Sequence, residues 1–323
     1  MQIEIGKIED YKFYTNKAYK RGSTRLKLVK AKGKTREDKY RYLEAIRLSI
    51  IRDTIVSDMQ KIIDAMPRYN QLTDFYKKLF SYFLDVDRYK KSLASIKWAN
   101  EKISLIFRAS NSKISRSKKV PEVIAARNMF LARCESLLKQ INENLKFLDL
   151  ARRRIKEIPS IKSDMFTVAI TGFPNVGKST LIGKITDSKP EVNSYAFTTK
   201  GLMIGYVKSK DSRIQIIDTP GTLNRKDKMN NIEKMAHLCM KDVAKALVYV
   251  FDLSEPYPAE EQIKLYNNLK KLDKEIVIYF SKSDVLDKSL FEKFKIKGST
   301  EPKEIKEEII KWSLISETTC EDN

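Results

Sequence analysis

The stretch Met165–Ser179 constrains this chain more than any other: the apolar run MFTVAIT is followed at once by GFPNVGKS. Gly172, Gly177, Lys178 and Ser179 fill every fixed position of G-x-x-x-x-G-K-[ST], and residues 178–186 then take up helical apolar spacing. A strand that turns through such a loop into a helix aims main-chain amides and a helix N-terminus at one point, which suits a polyphosphate. The two glycines let the backbone wrap closely around the anion. Phe173, Pro174, Asn175 and Val176 span the gap between them. Lys178 can reach the β- and γ-phosphates, Ser179 can ligate Mg²⁺, and Thr180 follows in the first helical turn.

Further motifs follow in the order that a P-loop GTPase requires. YAFTTKG (Tyr195–Gly201) contains Phe197, Thr198 and Thr199, and a threonine there can complete the metal shell when a triphosphate is bound. DTPG ends a β-rich run: Asp218 can hold Mg²⁺ through water, Thr219 and Pro220 shape the turn, and the Gly221 amide can sense the γ-phosphate. SKSD follows EIVIYF, where a guanine-reading N-K-x-D would sit. Asp284 can pair with guanine N1–H and the exocyclic amine, and the stem of Lys282 can cover the base. Ser281 stands in the asparagine position and removes an amide that ties this loop to the phosphate loop. The expectation is weaker nucleotide binding with guanine preference kept. The last base-contacting loop is assigned to Gly298–Thr300, with Ser299 as its contact residue.

The second half alternates β-rich runs (165–171, 201–207, 213–218, 246–253, 275–281) with helical patterns (178–186, 231–242, 259–272, 302–315). This predicts an α/β domain over 164–316, with a mostly parallel six-stranded sheet flanked by helices and a tail at 317–323. Pro159 and the polar stretch 161–164 mark a linker. The first half reads as an all-α helical bundle over 36–158. One helix spans Arg36 to about Met66, with Tyr40, Leu43, Ile46, Ile50, Val56, Met59 and Ile63 on one face and Pro67 as its stop. Others fit 72–83 and 88–107. The run NSKISRSKK (111–119) reads as a polar loop, and a single long helix fits 121–158.

Charge separates the halves. The chain carries 63 Lys/Arg against 42 Asp/Glu, a formal +21. Residues 1–160 hold 37 against 18, a net of +19, and the remainder is near neutral. Segment 11–35 has nine Lys/Arg, no acid, and the aromatics Tyr11, Phe13, Tyr14 and Tyr19. It reads as a basic N-terminal arm over 1–35 whose cations pair with RNA phosphates while the aromatics stack on bases. A solvated tail and a membrane-surface role are the weaker alternatives. Three dispersed cysteines and the single histidine, His237, fit neither a disulfide framework nor a cysteine zinc site, which points to a reducing cytoplasm. No signal-peptide core or membrane span is expected. His237, Cys134 and Cys239 read as structural residues. Arg152–Arg154 read equally as RNA contacts or a solvated helix end.

GFPNVGKST, YAFTTKG, DTPG and VYVFDLSE (Val248–Glu255), with MPRYNQLTDFYKKLF and DVDRYKKSLASIKWA upstream, together resemble the nucleolar GTP-binding protein 1 family of the Obg-related GTPases. The length is similar to an archaeal-type member. The resemblance implies GTP hydrolysis, Mg²⁺, and a role on large-subunit rRNA and the pre-ribosomal particle, with the protein monomeric off the ribosome and cytoplasmic, or nucleolar if eukaryotic. It makes Thr199, the second threonine of FTT, the switch metal ligand. Thr222 stands where a water-positioning glutamine is usual, so slow intrinsic turnover is expected. In potassium-activated relatives the asparagine matching Asn175 helps hold K⁺. An RNA-binding assembly protein with little turnover, or another translation- or tRNA-linked GTPase, are the alternatives.

Overall fold

The computed structural model describes residues 6–158, 160–162, 164–187, 191–193, 202–209, 212–219, 231–254, 258–283 and 297–321. They form two compact units. One comprises residues up to 73 and 83–156; the other comprises 74–82 and 157–323.

The first unit is all helical: α1 (Tyr11–Leu26), α2 (Arg36–Ala65), α4 (Val86–Arg116), α5 (Val120–Gln140) and α6 (Asn142–Lys156). Helix α3 (Asp74–Phe83) lies between α2 and α4 in sequence, but residues 74–82 cluster with the other unit. This departs from the single bundle expected over 36–158. The Tyr76 hydroxyl donates to the Ile161 carbonyl (2.7 Å) and accepts from the Ile161 amide (2.8 Å), while Lys78 pairs with Asp242 at 2.6 Å.

Residues 11–26 of the expected arm are a packed helix. Helix α1 starts at Asp10, whose carboxylate accepts from the Phe13 amide, and it buries Tyr14, Thr15, Ala18 and Gly22. The Tyr19 hydroxyl reaches the Leu131 carbonyl of α5 (3.0 Å). Helix α2 begins with a capping box between Thr35 and Asp38 and ends before Pro67, which disfavours the helical conformation at Met66. Its buried ridge is Leu48, Ile51, Ile55, Met59 and Ile62, rotated from the expected face, on which only Met59 is fully buried. Helices α1, α4 and α5 all pack on α2, so its apolar residues are shared among several contacts rather than one stripe.

Two further expectations are corrected. Helix α4 runs on through most of 111–119 to Arg116, because Ser110 and Ile114 continue its buried face. The region 121–158 is two helices, not one, with α5 capped at Ile141.

The second unit holds β1 (Thr167–Thr171), α7 (Lys178–Ile185), β2 (Glu191–Asn193), β3 (Leu202–Lys208), β4 (Arg213–Asp218), α8 (Asn231–Leu238) continued by a π-turn (Cys239–Val243), β5 (Ala246–Asp252), α9 (Ala259–Lys270), β6 (Glu275–Ser281) and α10 (Pro302–Glu321). Helix α10 passes through 316 without a break, so 317–323 is not set off as a tail. The six-stranded sheet has the order β2-β3-β4-β1-β5-β6. Strands β4, β1, β5 and β6 are parallel, and β3 runs antiparallel to both its neighbours. Every residue of β1 and β5 is buried, as expected of central strands covered on both faces. Their C-terminal ends bring residues 171–179, 218–219, 252 and 281–282 to one edge, the side on which open α/β sheets bind ligands.

Candidate nucleotide-binding site

Strand β1 ends at Thr171, and the chain turns at Gly172 with φ +151°. A Cβ on Gly172 would lie 2.6 Å from the Val250 carbonyl of β5. Asn175 (φ +62°) and Gly177 (φ +94°) also occupy left-handed backbone, which asparagine and glycine tolerate best. Gly177 is the N-cap of α7. Val176 and Phe173 are buried beneath the loop, so their side chains anchor it. Pro174 is half-buried, and Asn175 and Thr180 are exposed.

Lys178 is 7% exposed, and its Nζ donates to the carbonyls of Phe173 (2.6 Å) and Gly172 (3.2 Å). A lysine tied across the loop in this way holds its curvature and keeps a buried cation at the phosphate position. Ser179 Oγ donates to Asp218 Oδ2 at 2.6 Å. Two hard oxygen donors, one anionic, thus meet at the helix N-terminus, the donor chemistry that suits Mg²⁺. Among the described residues no cluster of three or more His, Cys, Asp or Glu could hold a metal. A magnesium here would depend on Ser179, Asp218 and ligand oxygens.

Thr219 is turned inward. Its hydroxyl and amide both donate to the Ile170 carbonyl (2.7 and 3.0 Å), so its side chain secures β4 to β1 rather than facing a nucleotide. Ser281 is 4% exposed, its hydroxyl donates to the Phe251 carbonyl (3.1 Å), and a Cβ on Gly177 would meet its Cβ at 3.4 Å. It therefore touches the phosphate loop by packing alone. Lys282 has φ +56° and places Nζ 2.6 Å from Asp252 Oδ2. Burial acts to raise the Asp252 carboxyl, but hydrogen bonds from Lys282 and Ser254 outweigh it and hold the group below the ordinary carboxylate range. Ser299 zips onto β6: its amide donates to Ile278 O (2.9 Å) and its carbonyl accepts from the Phe280 amide (2.8 Å). Its hydroxyl donates to Glu304.

Phe197, Thr198, Thr199, Pro220, Gly221, Thr222 and Asp284 lie outside the described residues. His237 is an exposed residue of α8, and Cys134 and Cys239 are buried, with burial pushing each thiol up to about 12. Arg152 and Arg153 pair with Asp149, and Arg154 donates to the Phe83 carbonyl; the Arg152 side chain is largely buried, whereas that of Arg153 stays 61% exposed.

A strand–glycine loop–helix closed by its own lysine, with a Ser–Asp pair at the mouth of a mostly parallel sheet, defines a P-loop GTPase domain. Comparison with known proteins agrees. Residues 167–282 match the family described as 50S ribosome-binding GTPase, and residues 14–162 match the NOG1 N-terminal helical domain. The chain is 36% identical over 253 residues to an uncharacterized protein of Methanocaldococcus jannaschii, covering 77% of this chain and 71% of that one. It is 31% identical over 236 residues to nucleolar GTP-binding protein 1 of Saccharomyces cerevisiae, covering 72% of this chain and 36% of the yeast protein. The chain thus spans about a third of the length of the yeast relative. Among solved structures, nucleolar GTP-binding protein 1 from Plasmodium falciparum aligns at TM-score 0.39 and 25% identity, over 51% of this chain and 96% of that one. The chain belongs to the nucleolar GTP-binding protein 1 family. Among the described residues, no helix is long and apolar enough to cross a membrane.

Proposed function

We propose that this protein binds GTP and GDP with Mg²⁺, hydrolyses GTP slowly, and acts as an assembly factor on the large ribosomal subunit by binding its RNA. The observation that carries the nucleotide reading is the join between Lys178, bonded across the loop, and the Ser179–Asp218 pair at 2.6 Å. Magnesium at that pair would neutralise phosphate charge. The chain's own part is to hold the polyphosphate on the loop amides, to set Lys178 Nζ against the β- and γ-phosphates, and to keep the α7 N-terminus aimed at them. Thr199 and Gly221 are assigned to sensing the γ-phosphate, and Asp284 to reading guanine. Asn175, exposed in left-handed backbone, is assigned a K⁺ contact.

The ribosomal reading rests on family membership together with the net charge of +19 in residues 1–160. Cations in that number favour a polyphosphate partner of the size of rRNA. The name of the yeast relative supports a nucleolar place for a eukaryotic chain; for a chain of archaeal type the corresponding place is the cytoplasm.

Two measurements test the two parts. Calorimetry with GDP, GTP and ATP in Mg²⁺ should show heat with the guanine nucleotides, and Lys178→Ala should abolish it. Cosedimentation with large-subunit precursors should differ between GDP and a non-hydrolysable GTP analogue, and K178A should bind RNA but lose that difference. Turnover in KCl should exceed that in NaCl; equal rates would remove the potassium contact. A chain silent to guanine nucleotides defeats the enzyme reading. One that ignores precursor particles defeats the ribosomal reading alone.

A further inference from the structure

Val248–Asp252 of the VYVFDLSE stretch end β5, and their aspartate, already seen against Lys282, is not among the phosphate or magnesium contacts described above. Asp252 closes β5 directly opposite Ser281 of β6 in the sheet register. Its side chain is 1% exposed. Oδ1 accepts from the Ser254 amide (2.9 Å) and hydroxyl (2.6 Å), and Oδ2 lies 2.6 Å from Lys282 Nζ. The main chain is clamped as well: the Asp252 amide donates to Gln262 Oε1 (3.0 Å), and Gln262 Nε2 donates to the Asp252 carbonyl (2.7 Å). Gln262 is itself buried, and its carbonyl accepts from the Tyr249 hydroxyl. Strand β5 and helix α9 thus hold this carboxylate in one place.

A carboxylate this buried requires a cation, and among the described residues the lysine of SKSD supplies it. A free lysine side chain samples many rotamers; one gripped at Nζ has a fixed path for its four methylenes. Lys282 also sits in left-handed backbone, which a lysine adopts only where its surroundings hold it. Ser281 cannot supply the hold, because its hydroxyl is spent on Phe251.

We propose that Asp252 is a positioning residue for nucleobase binding: by gripping Lys282 Nζ it fixes the lysine stem as an apolar shelf for the purine face, taking over the anchoring that an asparagine at 281 would provide. The proposal rests on reading residues 281–284 as the base-recognition loop.

The test uses the full chain and fluorescent guanine nucleotides, comparing wild type, Asp252→Asn, Lys282→Ala and the double variant. D252N should weaken GDP and GTP alike by up to about fivefold, the scale of one partly exposed ion pair. KM should rise while kcat at saturating GTP stays unchanged. The loss should be equal for guanosine and inosine diphosphates, because the stem meets the face of the base and not its edge. In the K282A background D252N should cost nothing further, since Asp252 acts through the lysine. Should D252N melt early, D252E keeps the charge on a longer arm and moves the amine, and the same KM-only loss is expected. Wild-type affinity in D252N, or a loss that adds in full on top of K282A, overturns the proposal while leaving the base loop intact. Failure of the wild type to bind guanine nucleotides brings down both.

Discussion

Gly172 carries the heaviest geometric demand in the phosphate loop. Its φ of +151° is a conformation that side chains rarely adopt, and a methyl group there would press to 2.6 Å from the carbonyl of Val250, which the sheet register holds against Tyr279 of β6. Gly172→Ala is therefore expected to destabilise the GTPase unit by about 1–3 kcal/mol from backbone strain, with the clash added. A fall in the urea midpoint measures this, and a midpoint equal to wild type would refute it. This part of the site is readable from the sequence because its chemistry is local: eight consecutive residues specify a loop, a cation and a helix start. What cannot be read is what depends on through-space partners. Nothing in DTPG announces that the Thr219 hydroxyl turns toward Ile170, or that Lys282 reaches back thirty residues to Asp252. The Arg152–Arg154 cluster reads equally as an RNA contact or a solvated helix end in one dimension, and nothing in it announces the bonds to Asp149 and the Phe83 carbonyl.

Helix α1 shows how composition can mislead about an element. Nine cations in 11–35 with no acid suggest an arm, yet every fourth residue or so is small or aromatic and faces the bundle. Gly22 makes the approach possible: a Cβ there would stand 2.8 Å from Ile51 Cγ1 of α2, and Ile51 is itself 2% exposed. Two effects compete at this position. Replacing glycine inside a helix with alanine gains up to about 1 kcal/mol of helix propensity, whereas a bulky side chain must drive α1 and α2 apart at about 1–3 kcal/mol. Alanine already brings the Cβ that meets Ile51, so the clash offsets its propensity gain and G22A should melt no higher than wild type; Gly22→Leu should lower the melting temperature of the helical unit further. A G22L chain as stable as wild type would show that α1 is only loosely attached. The same logic explains the other shifts of element. Ile114 alone among polar neighbours carries α4 to Arg116, and the break at Ile141 falls inside a continuous apolar pattern, because a pattern of period 3.6 does not say where one helix hands over to the next.

At the scale of the whole molecule, the separation of charge between the two halves has a physical consequence that the packing of α1 sharpens. Lys12, Lys20, Arg21, Arg25 and Lys27 are exposed on or just beyond α1, while its buried face is taken up by the bundle. The cations that would meet RNA are therefore displayed by a folded helix. Deleting residues 1–35 would remove part of the core along with the charge, whereas substituting the five exposed cations with glutamine leaves Tyr14, Ala18 and Gly22 in place. Each cation that neutralises a phosphate releases condensed counterions, and the slope of log affinity against log salt becomes shallower by about 0.7–0.9 for each lysine–phosphate or arginine–phosphate pair removed. The five-glutamine variant should melt as wild type, bind GDP as wild type, and bind large-subunit RNA with a shallower salt dependence, the difference being largest at low ionic strength. Parallel salt plots for the two proteins would show that the positive charge of α1 serves solubility and that RNA is met elsewhere in the chain.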